Sequence, residues 1–433
     1  MEIGDRFTGK KITVMGLGLL GRARGDALFL ARHGAELIIT DLKSEEQLAS
    51  SIAEFSAFPS VRFVLGEHRI EDFKGRDFVL KAAGVPNDSI YLQTAREEGT
   101  PVVMSASWFA EVSGVRVLGI TGTRGKSTVT HMLNAIFEKA GRKVLLGGNV
   151  QGVSTLAFLD EVTPEHVAIL ELDSWQLQGF GEAKMSPHLS VFTTFFPDHL
   201  NYYPSMEEYL ADKASIFLYQ KPGETLVLGA QAEPLVTPTY GDVIPSSVQV
   251  VAETDLPSDW TLRVLGAHNR YNAALARAAA LVEGIDETVI RAALEGFGGV
   301  PGRLELVRSI NGIEVYNDTN STTPDATLAA IQALTEAGKP IILIMGGSDK
   351  GIDMQPLIAK LPDLKKVVLL AGTGSEKIGG DMKTTLEAAV DEAFLHAAPG
   401  DAILFSPAFA SFGMFTNEYD RGEKFNSYID TKA

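Results

Sequence analysis

The sequence predicts an α/β protein that is built around mostly parallel sheets and divided into three domains. The first observation is that short apolar, β-branched runs are followed by glycine-rich loops and then by helical periodicity, and that this alternation recurs along the chain. The second is the length of 433 residues, which at about 150 residues per domain corresponds to about three domains. Hydrophobic residues make up 45% of the chain, enough to form substantial cores.

The predicted strands fall into three groups, and each group has its own glycine loops. We place the first domain at residues 1–112, the second at 113–302 and the third at 303–433. Residues 222–263, which are rich in Val, Thr, Pro and Ser, predict a small β-rich excursion within the second domain. The predicted strands are 11–15, 37–40 and 78–82, then 117–121, 167–172 and 189–195, and finally 341–345, 366–370 and 402–405.

The composition excludes several classes of function. The chain has 38 Lys and Arg against 55 Asp and Glu, a formal net charge of −17, which argues against sequence-independent binding of nucleic acid, because that binding needs cations to neutralise phosphates. It contains no cysteine, which excludes disulfides, thiolate nucleophiles and cysteine zinc sites. The sequence shows no apolar signal segment and no apolar run long enough to span a bilayer. We expect a soluble, cytoplasmic protein without a membrane partner, and we take it to be a monomer.

A first glycine-rich loop follows the first predicted strand. Gly16, Gly18 and Gly21 fit the pattern G-x-G-x-x-G, and Asp41 lies at the end of the next strand. In Rossmann-like folds such glycines let the backbone approach a diphosphate, while the acid accepts a hydrogen bond from a ribose hydroxyl. The motif predicts an N-terminal Rossmann-like domain that binds a nucleotide or diphosphate. An NAD-dependent oxidoreductase that uses the loop Gly16–Gly21 is one interpretation.

The sharpest motif is a second glycine loop between the strand 117–121 and a helix predicted from 126 to about 139. Ile120 stands where the strict P-loop pattern has glycine, but the remaining chemistry is complete. Backbone N–H groups can cradle phosphates, Lys126 can reach the β- and γ-phosphate oxygens, and Ser127 can hold Mg²⁺. We therefore predict a central P-loop ATPase domain. The loop residues expected at ATP are Gly122, Thr123, Arg124, Gly125, Lys126, Ser127 and Thr128.

Polar residues after neighbouring elements are further candidates. Glu171 ends an apolar strand in the P-loop domain, a position suited to Mg²⁺, and His199 follows the next strand. Lys213 lies in a predicted helix, where the pattern alone indicates a surface lysine. Asn269 and Asn272 lie three residues apart on one helix face. Their amides can bind a ligand or merely cap and decorate the helix.

Together these motifs resemble those of the Mur ligase family, the ATP-dependent amide-forming ligases of peptidoglycan synthesis. Their order and spacing agree over essentially the whole chain. The resemblance is greatest to the members that add D-glutamate to UDP-N-acetylmuramoyl-L-alanine. The segments that carry it are residues 122–128, 147–149, 171–177 and 198–199, the stretch around Lys213, and residues 268–272, 302–305, 317–318, 346–350 and 406–411.

The resemblance implies a UDP-substrate domain, an ATPase domain and a C-terminal Rossmann-like amino-acid domain. It implies an acyl phosphate that is formed from ATP and attacked by D-glutamate, and it reassigns the first glycine loop from NAD to UDP. It implies catalytic or Mg²⁺-binding roles for Lys126, Ser127, Glu171, His199 and a carbamylated Lys213. Further ATP contacts would be Asn269, Asn272, Arg303 and Asp318. Substrate contacts would be Leu19, Leu20 and Asp41 at the uridine end, Asn149 and Ser174 at the muramoyl group, and Thr322, Lys350 and Ser411 at the amino acid.

Four positions depart from the family pattern. Arg124 stands where the family loop usually has asparagine, and Asn320 where D-glutamate-adding members commonly have lysine. Phe409 replaces a common cysteine, and the aromatic position after Ser411 is shifted to Tyr419. Most of these changes fall in the expected amino-acid pocket. A related Mur-type ligase, or a folylpolyglutamate-like ligase that uses another amino acid, is therefore an alternative, although the latter leaves the UDP-type domain unexplained.

Overall fold

A computed structural model of the protein describes residues 6–18, 21–150, 152–199, 202–411 and 413–432. The described residues form three sheets, one of five strands and two of six. The predicted α/β class with mostly parallel sheets is confirmed. Among these residues, no helix combines the length and the apolar composition that crossing a bilayer requires.

The chain forms two compact units. The first contains the residues up to Leu256 together with Asn272–Ile290, and the second contains Pro257–Tyr271 together with Arg291–Ala433. The first two sheets belong to the first unit and the third sheet to the second unit. The domain boundaries near residues 112 and 302 stay a prediction.

The first sheet is parallel throughout. It consists of β1 (Lys11–Met15), β2 (Glu36–Asp41), β3 (Val61–Leu65), β4 (Phe78–Lys81) and β5 (Val102–Val103), with helices α1 (Arg22–Arg32), α2 (Glu45–Ala53), α3 (Ile90–Glu97) and α4 (Ser105–Ser113). The strand order is β3-β2-β1-β4-β5. The order reverses at β1, and open α/β sheets bind ligands beyond the carboxyl ends of the strands at such a point. The first glycine loop follows β1 and therefore lies there.

The second sheet is also parallel. Its strands are β6 (Arg116–Thr121), β7 (Lys143–Gly148), β8 (His166–Glu171), β9 (Leu189–Phe192), β10 (Thr225–Gly229) and β11 (Ser247–Val251), and its helices are α5 (Lys126–Lys139), α6 (Ser174–Glu182), α7 (Met206–Ala214) and α8 (Glu233–Tyr240). The order is β11-β10-β9-β6-β8-β7. The helix predicted at 126–139 is confirmed. The β-rich excursion predicted at 222–263 is wrong, because β10 and β11 extend this sheet and the side chains of Leu226 and Leu228 are fully buried in it.

The third sheet carries one antiparallel edge strand. Helices α9 (Ala267–Val282) and α10 (Glu287–Gly296) precede it, and each of them has residues in both units. The strands of the sheet are β12 (Glu305–Ile310), β13 (Ile313–Asn317), β14 (Ile341–Met345), β15 (Lys366–Leu370), β16 (Met382–Lys383) and β17 (Ala402–Phe405). Its helices are α11 (Pro324–Glu336), α12 (Gln355–Ile358), α13 (Leu386–His396) and α14 (Glu418–Asp430). The order is β12-β13-β17-β14-β15-β16. Asn311 and Gly312, with φ of 51° and 80°, turn β12 into β13, as the tight hairpin turns require. The three strands predicted here are confirmed.

Helix α4 joins the first sheet to the second. The Trp108 ring packs against Phe7 and Phe78 at centroid distances of 5.3 and 4.9 Å, and the Phe109 ring packs against Phe158 at 5.9 Å. Aromatic side chains of this size contribute strongly to core stability. The two sheets of the first unit therefore share one apolar core.

A buried carboxylate reinforces this joint. Asp26 of α1 accepts hydrogen bonds from the Ser105 and Ser154 hydroxyls at 2.7 and 2.5 Å. Burial raises the pKa of Asp26 to about 6, although both hydroxyls lower it. Ionisation of Asp26 therefore requires more free energy in the folded protein than in the unfolded chain.

Replacing Asp26 with Asn should alter the pH dependence of stability. Because the pKa of Asp26 is higher in the folded state, its contribution is present below pH 4 and is lost as the pH rises through about 6. Relative to Asp26→Asn, the wild type should lose up to about 3 kcal/mol over this interval, at about 1.4 kcal/mol per pKa unit. Thermal midpoints of both proteins between pH 3.5 and 7.5 measure this, and parallel profiles would contradict the assignment.

Candidate nucleotide and substrate site

The second glycine loop, after β6, has backbone conformations that only glycine accommodates well. Gly122 and Gly125 have φ of +139° and +86°. A Cβ at Gly122 would lie 2.0 Å from Thr193 Oγ1, and a Cβ at Gly125 would lie 2.4 Å from Asn272 Oδ1. The loop is therefore closely backed by residues that follow β9 and by the α9 amide predicted to contact ATP. Both glycines are required by contact as well as by conformation.

Helix α5 begins directly in this loop. Its first i→i−4 hydrogen bond runs from Val129 N to Gly125 O at 2.9 Å. The amides of Ser127 and Thr128 precede this bond in the first turn, where N–H groups have no acceptor within the helix. A helix N-terminus that follows a glycine loop favours an anion. The backbone here fits a phosphate group, and the hydroxyls of Ser127 and Thr128 belong to the same turn.

Two lysines converge on the carbonyl oxygen of Gly122. Lys126 Nζ donates to Gly122 O at 3.0 Å and to Thr123 O at 3.2 Å. Lys213 Nζ donates to the same Gly122 oxygen at 3.0 Å and lies 4.8 Å from the centre of the Tyr209 ring. Lys213 is buried, so its interpretation as a surface lysine is wrong. The helical pattern could not show that α7 turns this residue under the loop. Burial, and then the charge of Lys126, place the pKa of Lys213 well below its usual value.

Glu171 lies at the end of β8, beside β6. Its Oε1 accepts a hydrogen bond from Asn149 Nδ2 at 3.1 Å, and both side chains follow adjacent strands. Ser174 is buried at the start of α6, three residues later. The sheet therefore brings Asn149 of one predicted motif to the same edge as Glu171 and Ser174 of another. The structure places the two substrate-side candidates, Asn149 and Ser174, on the same edge as the P-loop.

His199 has a positive φ of 54°, and its ring lies 4.7 Å from the Trp175 ring. Burial lowers its pKa, which the carboxylate of Asp198 partly offsets. Arg124, the P-loop departure, donates to that Asp198 carboxylate at 3.0 Å. Within the part of the chain that the structure describes, no three His, Asp or Glu side chains are grouped as a metal site. A cation beside Glu171 or His199 would therefore need further oxygen ligands.

A cavity of about 740 Å³ opens at the carboxyl ends of β1 and β4. Asp41 lines it, and its Oδ2 accepts from the backbone N–H groups of Leu17 and Gly18 at 2.9 and 3.0 Å. Burial alone would raise the pKa of Asp41, but the Gly18 and Lys43 N–H groups hold it below its usual value. An ionised Asp41 thus stabilises the glycine loop at the rim of the cavity. Leu19 and Leu20, predicted at the uridine end, lie outside the described residues.

In the second unit, Lys350 and Thr322 come together. Lys350 Nζ donates to Thr322 Oγ1 at 2.9 Å, although the two residues follow different strands. Ser348 and Ala410 form a backbone bridge that places Ser411 next to the loop that carries Lys350. The three predicted amino-acid contacts therefore lie on neighbouring loops.

The other predicted ATP residues of this unit are dispersed. Asp318 is fully buried and accepts from Leu304 N at 2.9 Å and from Ser406 Oγ at 2.7 Å, and burial raises its pKa to about 6. The Arg303 side chain is exposed. Asn269 Nδ2 donates to Leu265 O at 2.7 Å. Asp318 thus stabilises the loops around it, while Asn269 holds the start of its own helix.

Arg421 is a residue that the sequence analysis missed. It is fully buried in α14 and donates to Thr319 Oγ1 at 2.9 Å, to Thr319 O at 2.8 Å and to Phe409 O at 3.3 Å. Burial lowers its pKa to about 10, so it stays protonated at neutral pH. It ties the loop before Thr322 to the loop before Ser411. A lone arginine in an amphipathic helix carries no sequence signal for such a role.

Known protein families match two parts of the chain. Residues 120–237 match the Mur ligase middle domain, and residues 302–409 match the Mur ligase, glutamate ligase domain. Among named relatives, the UDP-N-acetylmuramoylalanine–D-glutamate ligase of Roseiflexus sp. is 35% identical over 98% of this chain and 99% of its own. The ligase of the same name from Borreliella afzelii is 34% identical, with the same coverage of both chains.

Solved structures share the fold. The UDP-N-acetylmuramate-alanine ligase of Thermotoga maritima has a TM-score of 0.61 at 19% identity, covering 98% of this chain and 100% of its own. The MurF ligase of Thermotoga maritima, solved in complex with ADP, has a TM-score of 0.61 at 16% identity, covering 100% of this chain and 98% of its own. At these identities the likeness establishes the fold alone.

Replacing Arg421 with Met should destabilise the second unit, because the Thr319 and Phe409 carbonyls would lose their buried donor. Each unsatisfied group costs about 1–3 kcal/mol, so we expect a loss of about 3 kcal/mol or more. Calorimetry and hydrogen exchange of the peptides that contain Thr319 and Phe409 measure this. Lys424→Met, on the exposed face of the same helix, is the control. Equal stability of the two variants would show that Arg421 does not hold the loops.

Proposed function

The chain belongs to the Mur ligase family, and we propose that it is a cytoplasmic enzyme that joins D-glutamate to UDP-N-acetylmuramoyl-L-alanine at the expense of ATP. In this reaction the alanine carboxylate receives a phosphoryl group from ATP, and the amine of D-glutamate attacks the acyl phosphate and releases phosphate. Two relatives that match 98% of this chain and 99% of their own length are named for this activity.

The observation that carries the proposal is the P-loop at the end of β6, with Glu171 at the end of the adjacent β8. Gly122 and Gly125 let the loop pass close to Thr193 and Asn272 before the first turn of α5, and Lys126 is held against the loop carbonyls. A fixed ammonium and backbone N–H groups stabilise charge that develops on a transferring phosphoryl group. These residues would bind and orient the triphosphate of ATP.

The residues at this edge also fit Mg²⁺. Ser127, Glu171 and His199 would hold it, and because no three acidic or histidine ligands are grouped among the described residues, phosphate oxygens and water would complete its coordination. Bound there, Mg²⁺ supplies charge neutralisation and orientation of the phosphates. Asn149 would hold one Glu171 oxygen in a hydrogen bond while the other oxygen faces the cation.

We propose that Lys213 is carbamylated in the active enzyme. Its buried position and its contact with Gly122 O place the amine under the loop. The neutral amine attacks the carbon of CO₂, a C–N bond forms, one C=O electron pair moves to oxygen, and the nitrogen proton leaves to solvent. Burial favours the neutral amine that this step needs, and the nearby Lys126 favours the anionic product. The carbamate would offer hard oxygen ligands beside the nucleotide.

The remaining binding roles follow from position. The cavity at β1, with Asp41 at its rim, would take the uridine end of the substrate, and Asn149 and Ser174 would lie near the muramoyl group. Lys350, Thr322 and Ser411 would bind the amino acid, where an ammonium and two hydroxyls suit a carboxylate. Asn272, which lies against Gly125, is a further proposed contact of ATP. For Asn269, Arg303 and Asp318 we keep the ATP contacts that the family resemblance implies.

The function is tested by the mass of the product formed from ATP, UDP-N-acetylmuramoyl-L-alanine and a panel of amino acids. We expect the mass increment of glutamate, with the D-isomer preferred. Lys126→Ala should reduce turnover about 100- to 1,000-fold, because it removes a donor that acts on the transition state. Lys143→Ala, at an exposed position of the same sheet, should leave turnover unchanged. Near-normal turnover of folded Lys126→Ala would refute the ATP site, and a different mass increment would refute the choice of amino acid.

The carbamate has its own test. Lys213→Ala should lower turnover about 10- to 100-fold, as loss of a metal-supporting group does, and acetate should partly restore it by filling the vacated space. CO₂ depletion should slow the wild type but not the alanine variant. Circular dichroism establishes that the variant is folded. Wild-type turnover that is independent of CO₂, together with an active Lys213→Ala, would show that the lysine stays unmodified.

A further inference from the structure

Arg22 links the first glycine loop to the edge of the second sheet. It is the first residue of α1, directly after Gly21, and it lines the cavity at β1. Its guanidinium donates a short hydrogen bond to Asn149 Oδ1. Asn149 Nδ2 in turn donates to Glu171 Oε1 at 3.1 Å. One chain of directional hydrogen bonds therefore runs from the substrate cavity to the carboxylate beside the P-loop.

The chemistry of the three groups determines the direction of this chain. A guanidinium can only donate, an ionised carboxylate can only accept, and a carboxamide has one acceptor end and one donor end. Arg22 therefore holds the oxygen of Asn149 and turns its NH₂ group towards Glu171. Without the guanidinium, the amide can rotate and present its oxygen to the carboxylate, which repels it.

The contact is supported by the packing of α1. Asp26, one turn after Arg22, accepts from Ser105 and Ser154, and Ser154 lies on the loop that follows Asn149. At Gly25 a Cβ would lie 2.7 Å from Ser154 Cβ, so the helix and the loop are as close as glycine permits. The Asn149 backbone is also held, because its N–H donates to Glu171 O at 2.7 Å. Both ends of the Arg22–Asn149 contact are therefore supported by further hydrogen bonds or close packing.

We infer that Arg22 is a positioning residue of the ligase: it holds Asn149 so that Asn149 fixes one oxygen of Glu171 and leaves the other for the nucleotide-bound cation. This inference rests on the proposed function of Glu171. It also connects the two binding sites, because the residue that orients Glu171 lies in the cavity proposed for the UDP-linked substrate. A residue that acts in this way supports the cation through other groups, and loss of such support typically costs about 10- to 100-fold.

The test is a double-mutant cycle of Arg22→Leu and Asn149→Ala. Calorimetry gives the affinity for a non-hydrolysable ATP analogue with and without Mg²⁺, and steady-state kinetics give kcat and the KM of the UDP-linked substrate. Arg22→Leu should lose about tenfold or more of the Mg²⁺-dependent gain in affinity. Its kcat should fall similarly, while the KM of the UDP-linked substrate changes less than about threefold. The double variant should be no worse than the poorer single variant, because both substitutions break one chain.

Two controls make the result specific. Arg24→Leu removes an arginine of the same helix that pairs with Glu54 at 2.9 Å, and it should match the wild type. Arg22→Lys retains one donor and should recover part of the loss. If Arg22→Leu does not fold, the cycle is run with Arg22→Met, which also removes the donor.

Two outcomes would overturn the inference. A raised KM for the UDP-linked substrate with unchanged Mg²⁺-dependent nucleotide binding would make Arg22 a direct substrate contact instead. Additive effects of the two substitutions would show that they act separately. Failure of the proposed function is distinguishable, because the calorimetric cycle needs no ligation. A wild type that joins no amino acid but shows the coupling would refute the ligase activity and retain the link.

Discussion

The burial of Lys213 under the P-loop is the constraint on which the rest of the nucleotide site depends. A buried amine needs acceptors, and here they are the Gly122 carbonyl and, more distantly at 3.4 Å, the Thr121 hydroxyl. The same carbonyl holds Lys126. The oxygen of Gly122 therefore points into the protein, and the φ of +139° at this residue is one that a side chain would not tolerate. The conformation of the loop, the position of the P-loop lysine and the buried amine are one structural feature.

The three sheets place their candidate binding residues in the same way. Each presents polar groups beyond the carboxyl ends of its strands, where backbone N–H groups and helix N-termini are available to anions. In the first sheet, Asp41 stabilises the glycine loop. In the second, the P-loop lies between Glu171, which ends one neighbouring strand, and Thr193, which follows the other. In the third, the loops that carry Thr322, Lys350 and Ser411 follow successive neighbouring strands.

Buried charged groups hold these loops in place at a cost in stability. Asp26 and Asp318 have raised pKa values because burial outweighs the hydroxyl groups that they accept from. Arg421 has a lowered pKa because its partners are a hydroxyl and carbonyl oxygens. A packed apolar side chain would avoid the desolvation of each charge. The advantage of the charged groups is that their hydrogen bonds are directional. Each group therefore fixes two separate segments relative to each other.

The sequence by itself determined the α/β class, most strands and the residues of the P-loop, because these depend on local periodicity and on glycine at defined spacing. It also determined the family, through motifs spread over the whole chain. Only the tertiary structure decided that β10 and β11, within residues 222–263, extend the second sheet, that Lys213 is buried, and that Arg421 ties two loops. The contact between Arg22 and Asn149 is likewise seen only in the tertiary structure. These features depend on which faces of distant elements meet. Segments far away in the chain determine whether a side chain is buried and what it contacts, and a local sequence pattern does not encode this.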